Sequence, residues 1–279
     1  MTNASPSPPV VTFLSDYGHS DEFVGVCHGV IARRCPTARV IDVTHVVPSH
    51  DVRAGAILLR AALPYLPSGV HLAVVDPGVS AAGPYARRAV ALSTATEGHV
   101  LVGPDNGLLM PAAERLGGVV EAVDIGESPE CLQPVSRTFH GRDIFAPVAA
   151  ALAAGEPLAA VGEAIDPGQL RRMGIPTAHI AEGALTAHVL RSDTFGNLIL
   201  NAANEQLLEI GAQLGDALSV AHAGTRHTAA YAATFADVTP GELLIYEDAQ
   251  QMVSLAVNRG SAAKLLGAEQ DDELVIRPA

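Results

Sequence analysis

Three short apolar runs, residues 10–14, 40–43 and 72–75, are separated from one another by single stretches of helical periodicity, and this alternation leaves few folds open. Between the first two runs Phe23, Val26, Cys27, Val30 and Ile31 recur at helical spacing, with Asp21 placed to cap the helix and Pro36 following its expected end near Arg34. Between the second and third, Asp51 can cap a mostly apolar helix that runs to Ala62, before Pro64. Two successive crossovers of this kind predict parallel strands with right-handed connections, and therefore a doubly wound α/β sheet.

Each predicted strand stops at a polar loop. The stretch HLAVVDPGV, residues 71–79, is a buried strand broken by Asp76-Pro77-Gly78, which places a carboxylate at the end of the sheet where α/β proteins collect ligands. Residues 10–14 lead into Ser15-Asp16-Tyr17-Gly18, and residues 40–43 end near Thr44 and His45. Farther on, residues 89–92 and 99–102 read as a hairpin, Gly103-Pro104-Asp105-Asn106-Gly107 as another strand-ending loop, and residues 119–123 as a further strand after a short helix opened by Leu108. Asp143 is placed to cap an Ala-rich helix over residues 144–154, which sets His140 in the loop just before a helix N-terminus. An Asp-Pro-Gly turn can end a strand and do nothing else; the number of acidic and histidine-bearing strand ends is what points to a ligand.

The pattern changes after Gly174-Ile175-Pro176. Short alternating runs at residues 185–191, 197–201, 242–247, 253–258 and 273–278, with little helix between them, predict a second, mainly antiparallel β domain, a small barrel or a sandwich. The expected organisation is a disordered leader over residues 1–9, an α/β domain over 10–176 and a β-barrel-like domain over 184–279.

Charge narrows the ligand. Thirty acids against seventeen Lys plus Arg give a formal charge of -13, with no basic stripe, which argues against nucleic acid or an anionic membrane and in favour of a small molecule. No apolar run approaches the length of a membrane span, the opening MTNASPSPP has no signal-peptide pattern, and Cys27, Cys35 and Cys131 lack metal-type spacing. A reducing cytoplasm, no disulfide framework and no structural zinc are the expectation. No glycine motif of the phosphate-cradling type occurs, so a nucleoside without phosphates suits the chain better than a nucleotide polyphosphate.

Two chemistries then compete for the loop acids and histidines. A metal-dependent hydrolase would use them as ligands, although their spacing matches no compact ligand motif. A metal-free site would use Asp carboxylates to hold a ribose diol or an ammonium group, and an Asp, Arg and His set to orient a water.

Six blocks, FLSDYGHSDEFVG (13–25), VVDPGV (74–79) with Arg87-Arg88 after it, GPDNGLL (103–109), TFHGRDIFAPVA (138–149), DTFGNLILN (193–201) and AVNRGSAAKLLG (256–267), occur in order along nearly the whole chain. Together they resemble the S-adenosyl-L-methionine hydroxide adenosyltransferases, the water-using relatives of fluorinating and chlorinating enzymes that act on the same substrate. The resemblance implies an N-terminal α/β domain, a C-terminal β-barrel, and a homotrimer with sites between subunits. It further implies hydrolysis of S-adenosyl-L-methionine to adenosine and L-methionine by attack of water at the ribose C5′, with no metal and no redox cofactor. Carried over by position, Asp76, an arginine soon after it and His140 would hold the water, Asp16 the ribose hydroxyls, Asp21 and Asp193 the methionine end, and Phe195 and Asn197 the adenine region.

Two departures from the family pattern leave points open. The loop SAAGPYA lengthens the path to the arginine and Ser80 stands in place of a glycine, so that Arg87 is the better match and Arg88 the alternative. Asp248-Ala249-Gln250 replaces an Asn-Ser pair that faces the methionine carboxylate. The halide-using relatives carry a Tyr-Ser pair where this chain has His140-Gly141, and they lack the counterpart of Asp76, which favours water as the nucleophile. The alternatives are a halogenase of the same fold, a metal-dependent hydrolase, and a protein that binds the substrate without turnover.

Overall fold

The computed structural model describes residues 8–80 and 86–279; residues 1–7 of the expected leader and residues 81–85 of the long loop lie outside the described residues. The chain divides into two units, one ending at Met173 and the other beginning at Gly174.

The first unit runs β1 (Val10–Ser15), α1 (Phe23–Arg34), β2 (Arg39–Thr44), α2 (Val52–Ala62), β3 (Gly69–Val74), β4 (Ala89–Thr94), β5 (His99–Pro104), α3 (Met110–Arg115) and β6 (Val119–Asp124). A π-helical turn, Gly141–Phe145, then leads into α4 (Ala146–Ala153), followed by α5 (Leu158–Val161) and β7 (Glu163–Ile165). The strands form one sheet in the order β2-β1-β3-β5-β4-β6-β7. Its first four strands are parallel neighbours, and the antiparallel pairings of β4 with β5 and β6, and of β7 with β6, leave five strands pointing one way.

Both faces of the central strands are covered, which is why β1, β3, β4 and β5 read as largely apolar runs, whereas the edge strands β2 and β7 are only partly buried. On β3, Val70, Leu72 and Val74 pack into one core with Cys27 and Ile31 of α1 and Val148 to Ala151 of α4; Ala73, with Val75 just past the strand, packs into the other with Ala56 and Leu59 of α2 and Ala112 of α3. Each fully buried Val, Leu or Ile contributes about 1.5–3 kcal/mol of transfer free energy. The order β2-β1-β3 means that the chain leaves β1 in opposite directions for its next two strands, and the gap between β1 and β3 is the switch point at which such sheets bind ligands. Ser15 pairs with Val74 across that gap, so Asp16 and Asp76 emerge side by side at the carboxyl edge.

Two predicted caps are corrected. The N-cap of α1 is Glu22, with no side-chain hydrogen bond; Asp21 stands one residue too far upstream to reach the free N–H groups of the first turn. Asp143 caps nothing. It lies inside the π turn, buried, where its carboxylate accepts hydrogen bonds from Arg142 Nε at 2.7 Å and from the Ser136 N–H at 2.8 Å. The helix therefore begins earlier than its apolar pattern suggests, and His140 occupies the N-cap of the π turn. Asp51 does cap α2, accepting from the Ala54 N–H at 2.8 Å.

The second unit contains β8 (His179–Ala181), β9 (Ala184–Ser192), β10 (Leu198–Ala203), α6 (Asn204–Glu209), β11 (Ala217–His222), β12 (Thr225–Tyr231), β13 (Leu243–Glu247), β14 (Met252–Val257), α7 (Ala262–Leu266) and β15 (Glu273–Pro278). Seven strands close in the order β10-β14-β13-β12-β11-β15-β9, the ring completed by pairing of β9 with β10, and β8 is attached to β9. The unit is a barrel rather than a sandwich. Its pairings are antiparallel except for β12 with β13. Residues two apart fill the interior: Leu185, Ala187 and Val189 on β9, Leu198, Leu200 and Ala202 on β10, Val253, Leu255 and Val257 on β14.

Candidate active site

Asp16 and Asp76, delivered by β1 and β3, face a cavity of about 240 Å³ that is also lined by Tyr17, Thr138, His140 and Gly141. Behind Asp76 stands Arg87. Its Nε donates to Asp76 Oδ1 at 3.0 Å and its Nη2 donates to Oδ2, a forked, charge-assisted contact between side chains only 5% and 7% exposed. Arg87 Nη2 also lies 2.9 Å from His140 Nδ1, and the guanidinium carbon sits 5.4 Å from the centre of the Phe145 ring.

This geometry settles the state of His140. Burial, followed by the nearby Arg87 cation, holds its pKa below the ordinary 6.5, so the imidazole is neutral at physiological pH. A guanidinium only donates, hence Nδ1 accepts and the ring proton is on Nε2, 3.5 Å from Ser80 Oγ. Ser80 donates its hydroxyl to the Arg137 carbonyl and has φ +53°, the left-handed conformation that glycine adopts without strain. Arg88 is committed elsewhere. Its Nε donates to the buried Asp105 at 3.0 Å and its Nη2 to the Gln169 carbonyl at 2.6 Å, so of the two adjacent arginines it is Arg87 that meets Asp76.

Asp16 accepts the His50 N–H at 2.9 Å, leaving its other oxygen to the cavity. Tyr17, which the sequence did not single out, packs edge-on against Phe139, and burial, with the nearby Asp76 and Asp16 carboxylates, raises its pKa well above 10, keeping the hydroxyl protonated. That hydroxyl lies where a side chain on Gly141 would begin. The one signal for Tyr17 was its position beside Asp16 in a strand-ending loop. Asp21 is exposed in the bend before α1 and is not among the described residues lining this cavity.

The remaining predicted residues belong to the second unit and form a group of their own. Asp193 follows β9; its Oδ1 accepts the N–H groups of Phe195 and Asn197, both at 2.9 Å, and its Oδ2 accepts Asn197 Nδ2 at 2.8 Å. The carboxylate thus shapes the loop. Gly196 at its turn has φ +82° and no room for a side chain against Ser261, while Phe195 is 77% exposed and Asn197 is buried. Asp193, Phe195 and Asn197 line a cavity of about 520 Å³ together with Phe235 and Arg259. Asp248 accepts from the N–H groups of Gln250 and Met252 and from Ser254 Oγ, so this carboxylate organises the turn between β13 and β14.

The pattern of the SAM hydroxide adenosyltransferase N-terminal domain matches residues 11–162, and that of the corresponding C-terminal domain matches residues 187–275. A protein from Salinispora tropica named (R)-S-adenosyl-L-methionine hydrolase is 52% identical over 266 residues, covering 95% of this chain and 97% of its own. A fluorinase from Actinoplanes sp. is 26% identical over 277 residues, covering 91% and 93%. The crystal structure of an uncharacterized conserved protein from Thermotoga maritima superposes with a TM-score of 0.88 at 36% identity, covering 96% of this chain and 99% of that one. With both domains matched in order and the strand-end acids in place, the chain belongs to the SAM hydroxide adenosyltransferase family.

Proposed function

We propose that this protein is an S-adenosyl-L-methionine hydrolase that releases adenosine and L-methionine. The observation that carries the proposal is the Asp76, Arg87 and His140 set at the switch point, beside Asp16. Asp16 takes the ribose hydroxyls, and a water bound to Asp76 and His140 stands behind C5′. Its oxygen attacks C5′ as the bond from C5′ to sulfur breaks; the electron pair returns to the sulfonium, which leaves as neutral methionine, and the water proton passes to the Asp76 carboxylate. The sulfonium is already a good leaving group, so alignment is the main demand, and alignment lowers a barrier by up to about 7–11 kcal/mol.

The donor set favours this reading over its rivals. A carboxylate already forked onto a guanidinium is a poor ligand for a catalytic metal, and no redox step is needed. A negative carboxylate at the nucleophile position repels fluoride and chloride but accepts a proton from water. The substrate is held without turnover only if the water is absent, which a polar neutral imidazole and a carboxylate do not favour. We further propose a homotrimer whose sites combine the first unit of one chain with the second unit of a neighbour, acting in a reducing cytoplasm; the three cysteines are buried free thiols, and among the described residues no helix is long and apolar enough to cross a membrane.

Chromatography of the products tests the reaction. Adenosine is expected as the main product even in high fluoride or chloride, with Asp76→Ala and His140→Ala each slowing turnover by about 100-fold or more while binding substrate. A 5′-halo-5′-deoxyadenosine as the main product, or full turnover in Asp76→Ala, overturns the assignment.

A further inference from the structure

Away from the cavity, at the outer strand of the first sheet, three ligating side chains converge. His28 comes from α1, Asp42 from β2 and His45 from the turn that follows β2, and their donor atoms all lie within 4.8 Å of one another. His28 Nε2 is 2.8 Å and His45 Nε2 is 3.0 Å from the same oxygen, Asp42 Oδ1. Two imidazoles crowd one carboxylate oxygen.

The two histidines are not equivalent. His28 makes an ordinary hydrogen bond to Asp42, whereas His45, only 1% exposed, has a buried Nε2 that lies 3.0 Å from the same carboxylate without completing a hydrogen bond of good geometry. A buried polar nitrogen left in this way is disfavoured unless something else meets it. The other ring nitrogen, Nδ1, lies 2.7 Å from Ser15 Oγ. An imidazole anchored at one nitrogen by an oxygen, with the other nitrogen free and facing a carboxylate and a second imidazole, is the arrangement of a metal-ligating histidine with its supporting hydrogen bond.

We propose that His28, Asp42 and His45 bind a divalent transition metal of the zinc type, with water completing the coordination. Two imidazoles and one carboxylate suit zinc and its neighbours rather than calcium or magnesium, which prefer oxygen. Metal bonds of about 2.0–2.2 Å separate adjacent ligand atoms by about 3.3 Å, so the Asp42 oxygen moves outward by a few tenths of an ångström. It has room to do so, because the Asp42 side chain is 42% exposed and that of His28 is 35% exposed; the same exposure provides the route of entry.

The metal would join α1 to β2 and, through His45, fix the end of β1. His45 holds Ser15 through its ring and accepts the Gly18 N–H at 2.6 Å through its carbonyl, so residues on both sides of Asp16 and Tyr17 hang from it. Its place is structural, and no step of the reaction above passes through it.

Full-length protein without an affinity tag, stripped with a chelator and titrated with Co²⁺, tests the site. One equivalent is expected to bind with visible ligand-field absorption and to be displaced by Zn²⁺. His28→Ala and Asp42→Ala, both at partly exposed positions and checked for folding by circular dichroism, should weaken binding by about 100-fold or more. His222→Ala is the control, since His222 forms another imidazole–carboxylate pair, with Asp272 at 3.4 Å, and should bind as the parent does. Absence of an equivalent of bound Co²⁺, wild-type affinity in the folded His28→Ala and Asp42→Ala proteins, or loss of binding in His222→Ala overturns the proposal.

Discussion

Gly141 shows how narrowly single residues set the site. Its Cα faces the Tyr17 hydroxyl so closely that an added methyl has no space, and His140 is its immediate neighbour. Gly141→Ala is expected to destabilise the fold by about 1–3 kcal/mol, as overpacking of a close-packed site does. It should also lower adenosine formation, because the strain is relieved by moving either Tyr17 or His140. Thermal unfolding and the product assay measure the two effects, and a variant that matches the parent in both would mean that Tyr17 yields freely. Asp16 and Asp76 were legible in the sequence because an acid at the end of an apolar run is a local signal. The contact between residues 17 and 141 was not, since nothing local links them. The choice between Arg87 and Arg88 is of the same kind: successive residues of an extended chain point to opposite sides, and only the partners, Asp76 for one and Asp105 for the other, tell them apart.

Among the elements, β3 carries a second consequence at the end away from Asp76. His71 on β3 and His99 on β5 stack with ring centres 5.1 Å apart, in a buried hydrogen-bonded chain: Thr12 Oγ to His71 Nδ1 at 2.9 Å and His71 Nε2 to His99 Nδ1 at 2.8 Å. Burial, and then the neighbouring His99, push the His71 pKa from 6.5 down to about 3. The unfolded chain therefore takes up a proton below about pH 6.5 that the folded chain refuses, so stability falls as pH drops from there towards pH 3. By pH 4 the loss is on the order of 3 kcal/mol from this residue. Denaturant titrations between pH 7 and pH 4 should show that slope, and His71→Gln should make it shallower, the rest coming from the other histidines held below their ordinary pKa, His45, His99 and His140; an unchanged slope in the folded variant would place the acid sensitivity elsewhere. Six strands of the first sheet were readable from their apolar runs and the three-residue β7 was not; in the second unit β11 and β12 escaped notice. Their sequences, ALSVAH and TRHTAAY, are rich in Ala and polar residues that carry little strand preference, and what makes them strands is closure of the barrel around Leu218, Val220 and Ala229. The caps at Asp21 and Asp143 failed for the converse reason: a capping residue type is a local signal, but an Arg142 partner and a π turn are not.

At the scale of the whole molecule, the predicted residues fall into two groups on two separate units, Asp16, Asp76, Arg87 and His140 on one and Asp193, Phe195 and Asn197 on the other. If sites are shared between copies, an inactive Asp16→Ala chain and an inactive Asn197→Ala chain should recover part of the parent activity when co-assembled, because some sites then contain neither change. Mixed oligomers verified by mass spectrometry and devoid of activity would refute sharing. The presence of two architectures was legible from the switch between helical and alternating periodicity near Pro176; the number of copies in the assembly was not, since no chain pattern encodes it. Closure of the barrel bears on that assembly. A ring of seven strands offers no long backbone margin on which a neighbour's strand can be added, and β8, the strand outside the ring, spans only His179–Ala181. Any contact that a second copy makes with the barrel is therefore made through side chains and loops rather than by strand addition. Contacts of that sort can be remodelled one substitution at a time without unravelling a sheet, so an assembly built on this barrel would be free to drift while the tertiary structure stays put.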